Sequence, residues 1–404
     1  MPVKHHSIVI DPSRRRFLQK SFAGMGWMMA GTMLSRCSSD GNGGSVTSNI
    51  ANLGPLRDPD ENGLRLPEGF TSRVVARSGM EVESSGYVWH NAPDGGAVFV
   101  TDDGGWIYVS NSETVSTVGA GASAVRFASN GDIVDAYRIL EGTNLNCAGG
   151  VTPWGTWLSC EELSTGQVWE CDPLGQSSAV VRPSMGVFQH EAVAIDEANR
   201  HAYMTEDVGD GRFYRFVYDA PGDLSAGELQ VAEVMGGGPE GMVEWRTVPD
   251  PSAADTDTRL QVPSSTPFDG GEGIWCHQGI VYFSTKGDNR IWAYDTGTAM
   301  LTILYDAATS STPILTGVDN LTVSPAGDVL VAEDGGNMEI VAITAEGTLL
   351  PLVQVTGHEE SEITGPAFDP SLQRLYFSSQ RGPNGGDPLG QSGITYEVTG
   401  PFFV

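Results

Sequence analysis

Cations are what this chain most lacks. Against 51 aspartates and glutamates it carries 22 lysines and arginines, a formal net charge of −29 over 404 residues. Lysine occurs only at Lys4, Lys20 and Lys286. That balance excludes electrostatic binding to DNA, RNA or an anionic membrane surface, and it would instead concentrate cations. An acidic surface also suits solubility in salty surroundings, and both readings stay open. Cysteine is scarce, with five residues. Glycine (52) and proline (23) fall short of a collagen-like or disordered composition, because 40% of residues are hydrophobic and can bury a core. Beyond the N-terminus no apolar run is long enough for a transmembrane helix. The length allows two or three domains, or one large β domain.

The first 43 residues read as an address. Ser13-Arg14-Arg15-Arg16-Phe17-Leu18-Gln19-Lys20 precedes an apolar run from Phe22 to Leu34 that is too short to span a bilayer. A twin-arginine segment of this kind predicts a Tat export signal, and hence a periplasmic or extracellular protein that is a client of the Tat machinery. Cys37, followed by a Ser/Gly/Asn linker, resembles a lipoprotein tether, but Arg36 stands where lipidation wants a small residue. Residues 44–65 read as linker and 66–404 as one domain. Removal of the leader leaves Lys286 as the single lysine.

Long helical periodicity is also missing. Short runs of alternating apolar residues bounded by Gly, Asn, Asp and Pro predict an all-β chain. One unit recurs, a β-branched or aromatic strand ending in a polar cluster. It occurs at Ile107–Ser110 before Glu113, Thr156–Ser159 before Glu161-Glu162, and Ala202–Thr205 before Glu206-Asp207. It returns at Val281–Ser284 before Lys286 and Asp288, Val329–Val331 before Glu333-Asp334, and Leu375–Ser378 before Arg381. Six repeats predict a six-bladed β-propeller. One long interval marks an insertion of about 219–268, read as a lid. A second polar position precedes each cluster at Cys147, Glu191, Glu272 and Asn320. Two turns per blade aimed at one axis would gather these side chains into a shared site in the channel. The segment Thr71–Ala76 is expected to pair with Gly393–Val398 and close the ring.

The gathered groups are mostly carboxylates, with Asp319 and Asp207 among them, and so many acids stay ionised together only with cations between them. Hard oxygen ligands suggest Ca²⁺ or Mg²⁺. The Cys147 thiolate is soft and better suits a transition metal such as iron. Cys160 and Cys171 flank a turn where, if directly opposed, they could bridge or simply pack, and packing is the expectation. His190 reads as a core histidine, and His90, beside a turn at an equivalent mouth position, as a better site candidate. Lys286 and Arg381 occupy matching places at strand ends. Cations there point to an anionic substrate, a phosphate above all, with both side chains screening transition-state charge. The competing role for Lys286 is a local salt bridge to Asp288.

The segment Asn146-Cys147-Ala148-Gly149-Gly150-Val151-Thr152-Pro153-Trp154-Gly155-Thr156-Trp157-Leu158-Ser159-Cys160-Glu161-Glu162 resembles the signature of PhoX-type alkaline phosphatases. Phe188–Val193, Thr205–Asp207, Phe213–Phe216, Gly271–Trp275, Thr285–Asn289 and Ala332–Gly336 continue the similarity, which runs from about 66 to 403. The resemblance implies a secreted phosphomonoesterase on a six-bladed propeller with a mixed Ca²⁺–Fe³⁺ cluster. It implies metal-holding roles for Cys147, Glu161, Glu162, Glu191, Glu206, Asp207, Glu272, Asp288, Glu333 and Asp334, to which the repeat adds Asp319 and Asn320 as candidate ligands. Lys286, Arg381 and His90 are the catalytic candidates, placed by position alone. The expected partners are a small phosphate ester and the export machinery, with membrane contact only through a lipid at Cys37, and the expected state is a monomer. Two other readings compete: a calcium-dependent lactonase-like hydrolase, and a non-catalytic extracytoplasmic binding propeller.

Overall fold

The computed structural model describes residues 46–311 and 313–404, so the leader with Cys37 lies outside the described residues. Among the described residues the helical elements are three single turns, Ile50–Asn52, Pro183–Met185 and Thr258–Leu260. The rest is antiparallel sheet, in four separate sheets and one of nine strands.

The first sheet runs Pro93–Val100, Trp106–Ser112, Gly121–Phe127 and Ile133–Glu141. The second runs Asn146–Val151, Trp157–Glu161, Val168–Cys171 and Val180–Val181. A later sheet holds Val318–Val323, Val329–Glu333, Glu339–Ile343 and Leu349–Val355, edged by Leu64–Arg65. The last holds Ile363–Phe368, Arg374–Ser379 and Ile394–Thr399, with Thr71–Arg77 as its fourth strand. That N-terminal strand pairs antiparallel with the C-terminal one from Thr71↔Thr399 to Arg77↔Ile394, and so joins the chain ends as the pattern predicts.

The nine-stranded sheet departs from the expectation of six separate blades. It contains one four-strand run from His190–Asp196 to Asp223–Val234 and another from Gly271–His277 to Met300–Asp306. The strand Gly241–Thr247 connects their outer edges, pairing with Asp223–Val234 on one side and with Met300–Asp306 on the other. The segment read as a lid is therefore largely built into this sheet. Its remaining loop is tied down by Phe268, which bridges Gly211, and by the Thr258 hydroxyl, which donates to Val187 O.

Each repeat strand found in the sequence is the second strand of a four-strand run. The strands that precede them, starting at Pro93, Asn146, His190, Gly271, Val318 and Ile363, touch one another in that order, and the last touches the first. The fold is thus propeller-like, with sheets stacked around a central axis. Apolar residues fill six clusters, each between consecutive runs. Stacking covers both faces of the inner strands, which is why a strand such as Val318–Val323 is buried at every position.

Candidate metal centre

The site grows from one irregularity repeated six times. In the first five inner strands the chain bulges after the opening pair, so that two residues oppose one on the neighbour. In the last strand the bulge comes one residue later, between Thr364 and Ala367. A bulge re-aims a side chain that would otherwise alternate across the sheet. The first bulged residues are Asp94, Cys147, Glu191, Glu272, Asp319 and, in the last strand, Gly365. The second are small where neighbours crowd: a Cβ on Gly95 would stand 2.5 Å from Ala148 Cα, and one on Gly273 would stand 2.6 Å from the Leu321 nitrogen.

A second ring comes from the turns that follow the second strands: Glu113, Glu162, Asp207, Lys286, Asp334 and Gln380. With Glu362, which immediately precedes the last inner strand, the two rings form four overlapping groups whose ligand atoms lie within 4.8 Å of one another: Cys147/Glu162/Glu191, Glu191/Glu272/Asp319, Asp319/Asp334/Glu362 and Asp94/Glu113/Glu362. Cys147 Sγ lies 3.2 Å from Glu191 Oε1 and 3.7 Å from Asp94 Oδ2. Lys286 Nζ sits among the acids, 2.7 Å from Glu272 and 3.4 Å from both Asp319 and Asp334. Its partners are therefore cluster acids. Asp288 instead pairs with Arg290 at 2.7 Å. Gln380 Nε2 donates to Asp94 at 2.6 Å and to Glu113 at 2.7 Å, while its Oε1 accepts from Arg381 Nε at 2.9 Å. The Arg381 guanidinium lies 3.7 Å from Glu362.

Burial and mutual repulsion push these acids toward the protonated form. Asp94, Glu191, Glu272 and Glu362 stand well above the usual carboxylate range, first from burial and then from neighbouring carboxylates. Glu162 is pushed up to about 8 by burial and by Glu113. Burial, then Asp94 and Glu191, raise the Cys147 thiol. Burial pulls Lys286 down, but Asp319 and Glu272 outweigh it and hold the ammonium above the usual lysine range.

The paired acids divide their labour. In Glu161-Glu162, Glu206-Asp207 and Glu333-Asp334 the second member belongs to the second ring and the first closes the strand turn. Glu161 accepts from Asn144 N and Trp169 Nε1. Glu206 accepts from Arg212 N and the Tyr214 hydroxyl, and Glu333 from Thr316 N and Glu339 N. All three are engaged by protein donors and stand outside the four groups. Asp207 lies at the rim, within hydrogen-bond reach of Glu272. Asn320 supports its neighbours, donating to Asp319 Oδ1 at 2.7 Å and accepting from Gly365 N at 3.1 Å. The bulge makes Asp319, not Asn320, the counterpart of Cys147.

His90 is buried against Trp89, between the Ser123 and Ser110 hydroxyls, and its pKa is well below normal through burial and then Arg138. It lies outside the acid groups, with its ring nitrogens on serine hydroxyls. His190 stacks on Phe188 as a core residue. Cys160 and Cys171 are both free and buried; Cys160 opposes Val168 and Cys171 opposes Trp157, so they are not directly opposed.

Asp94, Glu113, Glu362 and Gln380 were not among the sequence-derived site residues. Phase alone could have found Gln380 and Glu113, which end their repeat strands as Glu162 does. Asp94 escaped because 19 residues separate it from Glu113, against 15 between Cys147 and Glu162.

The family model for alkaline phosphatase PhoX matches residues 94–170 and 164–382. Pseudomonas fluorescens PhoX, solved in complex with vanadate, a transition state analogue, is similar in fold. It has a TM-score of 0.71 at 18% identity, with 88% of this chain and 98% of that chain covered. A Bacteroides thetaiotaomicron protein of unknown function gives 0.50 at 8% identity, covering 85% of this chain and 84% of that one. A Xanthomonas campestris gluconolactonase gives 0.45 at 13% identity, covering 90% and 100%. Among curated proteins none matches. The motif segments, the propeller-like fold and the family match over most of the domain agree: this chain belongs to the PhoX family of alkaline phosphatases.

Proposed function

We propose that the protein is an exported phosphomonoesterase whose reaction takes place at the acid–thiol cluster, with calcium and iron as its resident ions. The observation that carries this reading is the set of four overlapping groups containing eight carboxylates and one thiol around a single lysine. The residues fit metal ions on two counts. Glu191 Oε2 is buried with no hydrogen-bond partner, which is costly for an oxygen without a ligand. The donor set also combines hard oxygens for calcium with one sulfur for iron.

Asp94, Glu113, Cys147, Glu162, Glu191, Glu272, Asp319, Asp334 and Glu362 would hold the ions. Bound there, such ions supply Lewis acidity toward a phosphoryl oxygen and acidify a coordinated water. The protein's own contribution is charge and orientation. Lys286, with a third of its side chain exposed, and Arg381, with 39% exposed, present cations toward an anionic ester. Gln380 ties the Arg381 side chain to Asp94 and Glu113, limiting its wandering before substrate arrives.

In this reading the nine-stranded sheet is two blades fused by Gly241–Thr247, which gives six blades in all. The twin-arginine segment supports Tat export to the periplasm or beyond. A lipid at Cys37 would be the single membrane contact, the working state is a monomer, and nucleic acid is not a partner. The test is turnover of p-nitrophenyl phosphate beside a lactone by enzyme purified without chelator. Phosphate release supports the reading, and lactone turnover alone overturns it.

A further inference from the structure

Three buried polar side chains outside the cluster share one register. Asn111, Thr205 and Ser284 each precede a second-ring residue (Glu113, Asp207 and Lys286) by two positions, and each is 1% exposed or less. Each reaches across to the next run of strands and donates to the carbonyl of a first bulged residue. Asn111 Nδ2 donates to Cys147 O at 3.1 Å and to Ala148 O at 2.8 Å. Thr205 Oγ1 donates to Glu272 O at 2.5 Å, and Ser284 Oγ donates to Asp319 O.

A bulge takes its carbonyls out of the sheet ladder, and a buried carbonyl without a donor is costly. The hydrogen bond also has a directional effect. The carbonyl carbon and Cβ are bonded to the same Cα, so holding the peptide plane restrains the direction of Cβ. Asn111 is itself held, because its Oδ1 accepts from Trp157 Nε1 and Ser159 Oγ, both at 2.9 Å. The amide therefore cannot turn without breaking two further bonds.

We propose that Asn111, Thr205 and Ser284 are positioning residues that set the aim of Cys147, Glu272 and Asp319, so that removing one donor weakens metal retention while every ligand remains. This rests on the reading of the cluster as a metal centre. Outer-shell partners of this kind are worth about 10- to 100-fold in metal affinity.

Thr205 gives the cleanest test, because Thr205→Val keeps its shape without the hydroxyl and Thr205→Ser keeps the hydroxyl. Ca²⁺ is titrated calorimetrically into chelator-stripped full-length protein, beside thermal melts of the same samples. The expected result is Ca²⁺ affinity lowered about 10-fold or more in Thr205→Val and recovered to within about threefold in Thr205→Ser. A lower melting temperature with unchanged Ca²⁺ affinity would reduce Thr205 to a packing role and overturn the proposal. Should Thr205→Val not fold, Ser284→Ala against Ser284→Thr repeats the comparison at Asp319. A wild-type protein that takes up no Ca²⁺ overturns the underlying metal reading instead.

Discussion

Adjacent residues in this protein have different jobs, and single substitutions separate them. Glu162 belongs to the thiol group of the cluster, whereas Glu161 is spent on Asn144 and Trp169. Glu162→Gln is expected to lower kcat/KM for a phosphate monoester by about 100-fold and to reduce bound metal. Glu161→Gln should keep its metal content and lose about 1 kcal/mol of stability, the value of a typical hydrogen bond. Equal loss of metal in both variants would refute the division. Cys147→Ser tests the soft ligand: it should fold with an unchanged far-UV spectrum, retain no iron and show no turnover. Full activity in that variant would remove the thiolate from the account. The pairs were legible in the sequence as pairs only. Which member faces the axis depends on the strand turn, and that turn appears once the backbone is traced.

At the level of strands, five of the six bulges turn their first residue into a ring of candidate ligands, and close contact between inner strands sets their spacing. Gly150 is one such contact, since a Cβ there would stand 1.8 Å from the Val193 carbonyl oxygen of the next inner strand. Gly150→Ala is expected to cost about 1–3 kcal/mol, as overpacking of a tight interface usually does, seen as a lower urea midpoint. A midpoint equal to wild type would show that the inner ring is loose. The second strands were readable because aromatic and β-branched runs ending in acids repeat at regular intervals. The closing pair of Thr71–Arg77 with Ile394–Thr399 was readable for the same reason. The bulges were not, because a one-residue slip leaves no mark in an apolar pattern. That slip is why Asn320 was taken for Asp319's position, whereas Asp94 was missed because its spacing to Glu113 is longer than in the other repeats. Gly241–Thr247 was hidden as well, as its Pro- and Gly-rich surroundings read as loop.

For the whole molecule, the acidity first visible in composition divides into a solvated share and a share turned onto one axis. The axial share makes stability depend on cations. In the metal-free fold Glu162 keeps its proton up to about pH 8, while in the unfolded chain it releases it in the ordinary carboxylate range. Between those values the folded state binds more protons, so stability falls as pH rises. Chelator-stripped protein should therefore melt roughly 5–10 °C lower at pH 8 than at pH 5, and added Ca²⁺ should remove most of that slope. A slope of the opposite sign would mean that the acids are not crowded as described. The central claim is a phosphatase whose metals are held by the acid–thiol cluster. It is tested most directly by elemental analysis of native protein purified without chelator, with p-nitrophenyl phosphate turnover measured on the same sample. The account predicts calcium and iron together in an active enzyme, and an active enzyme that contains neither metal would contradict it.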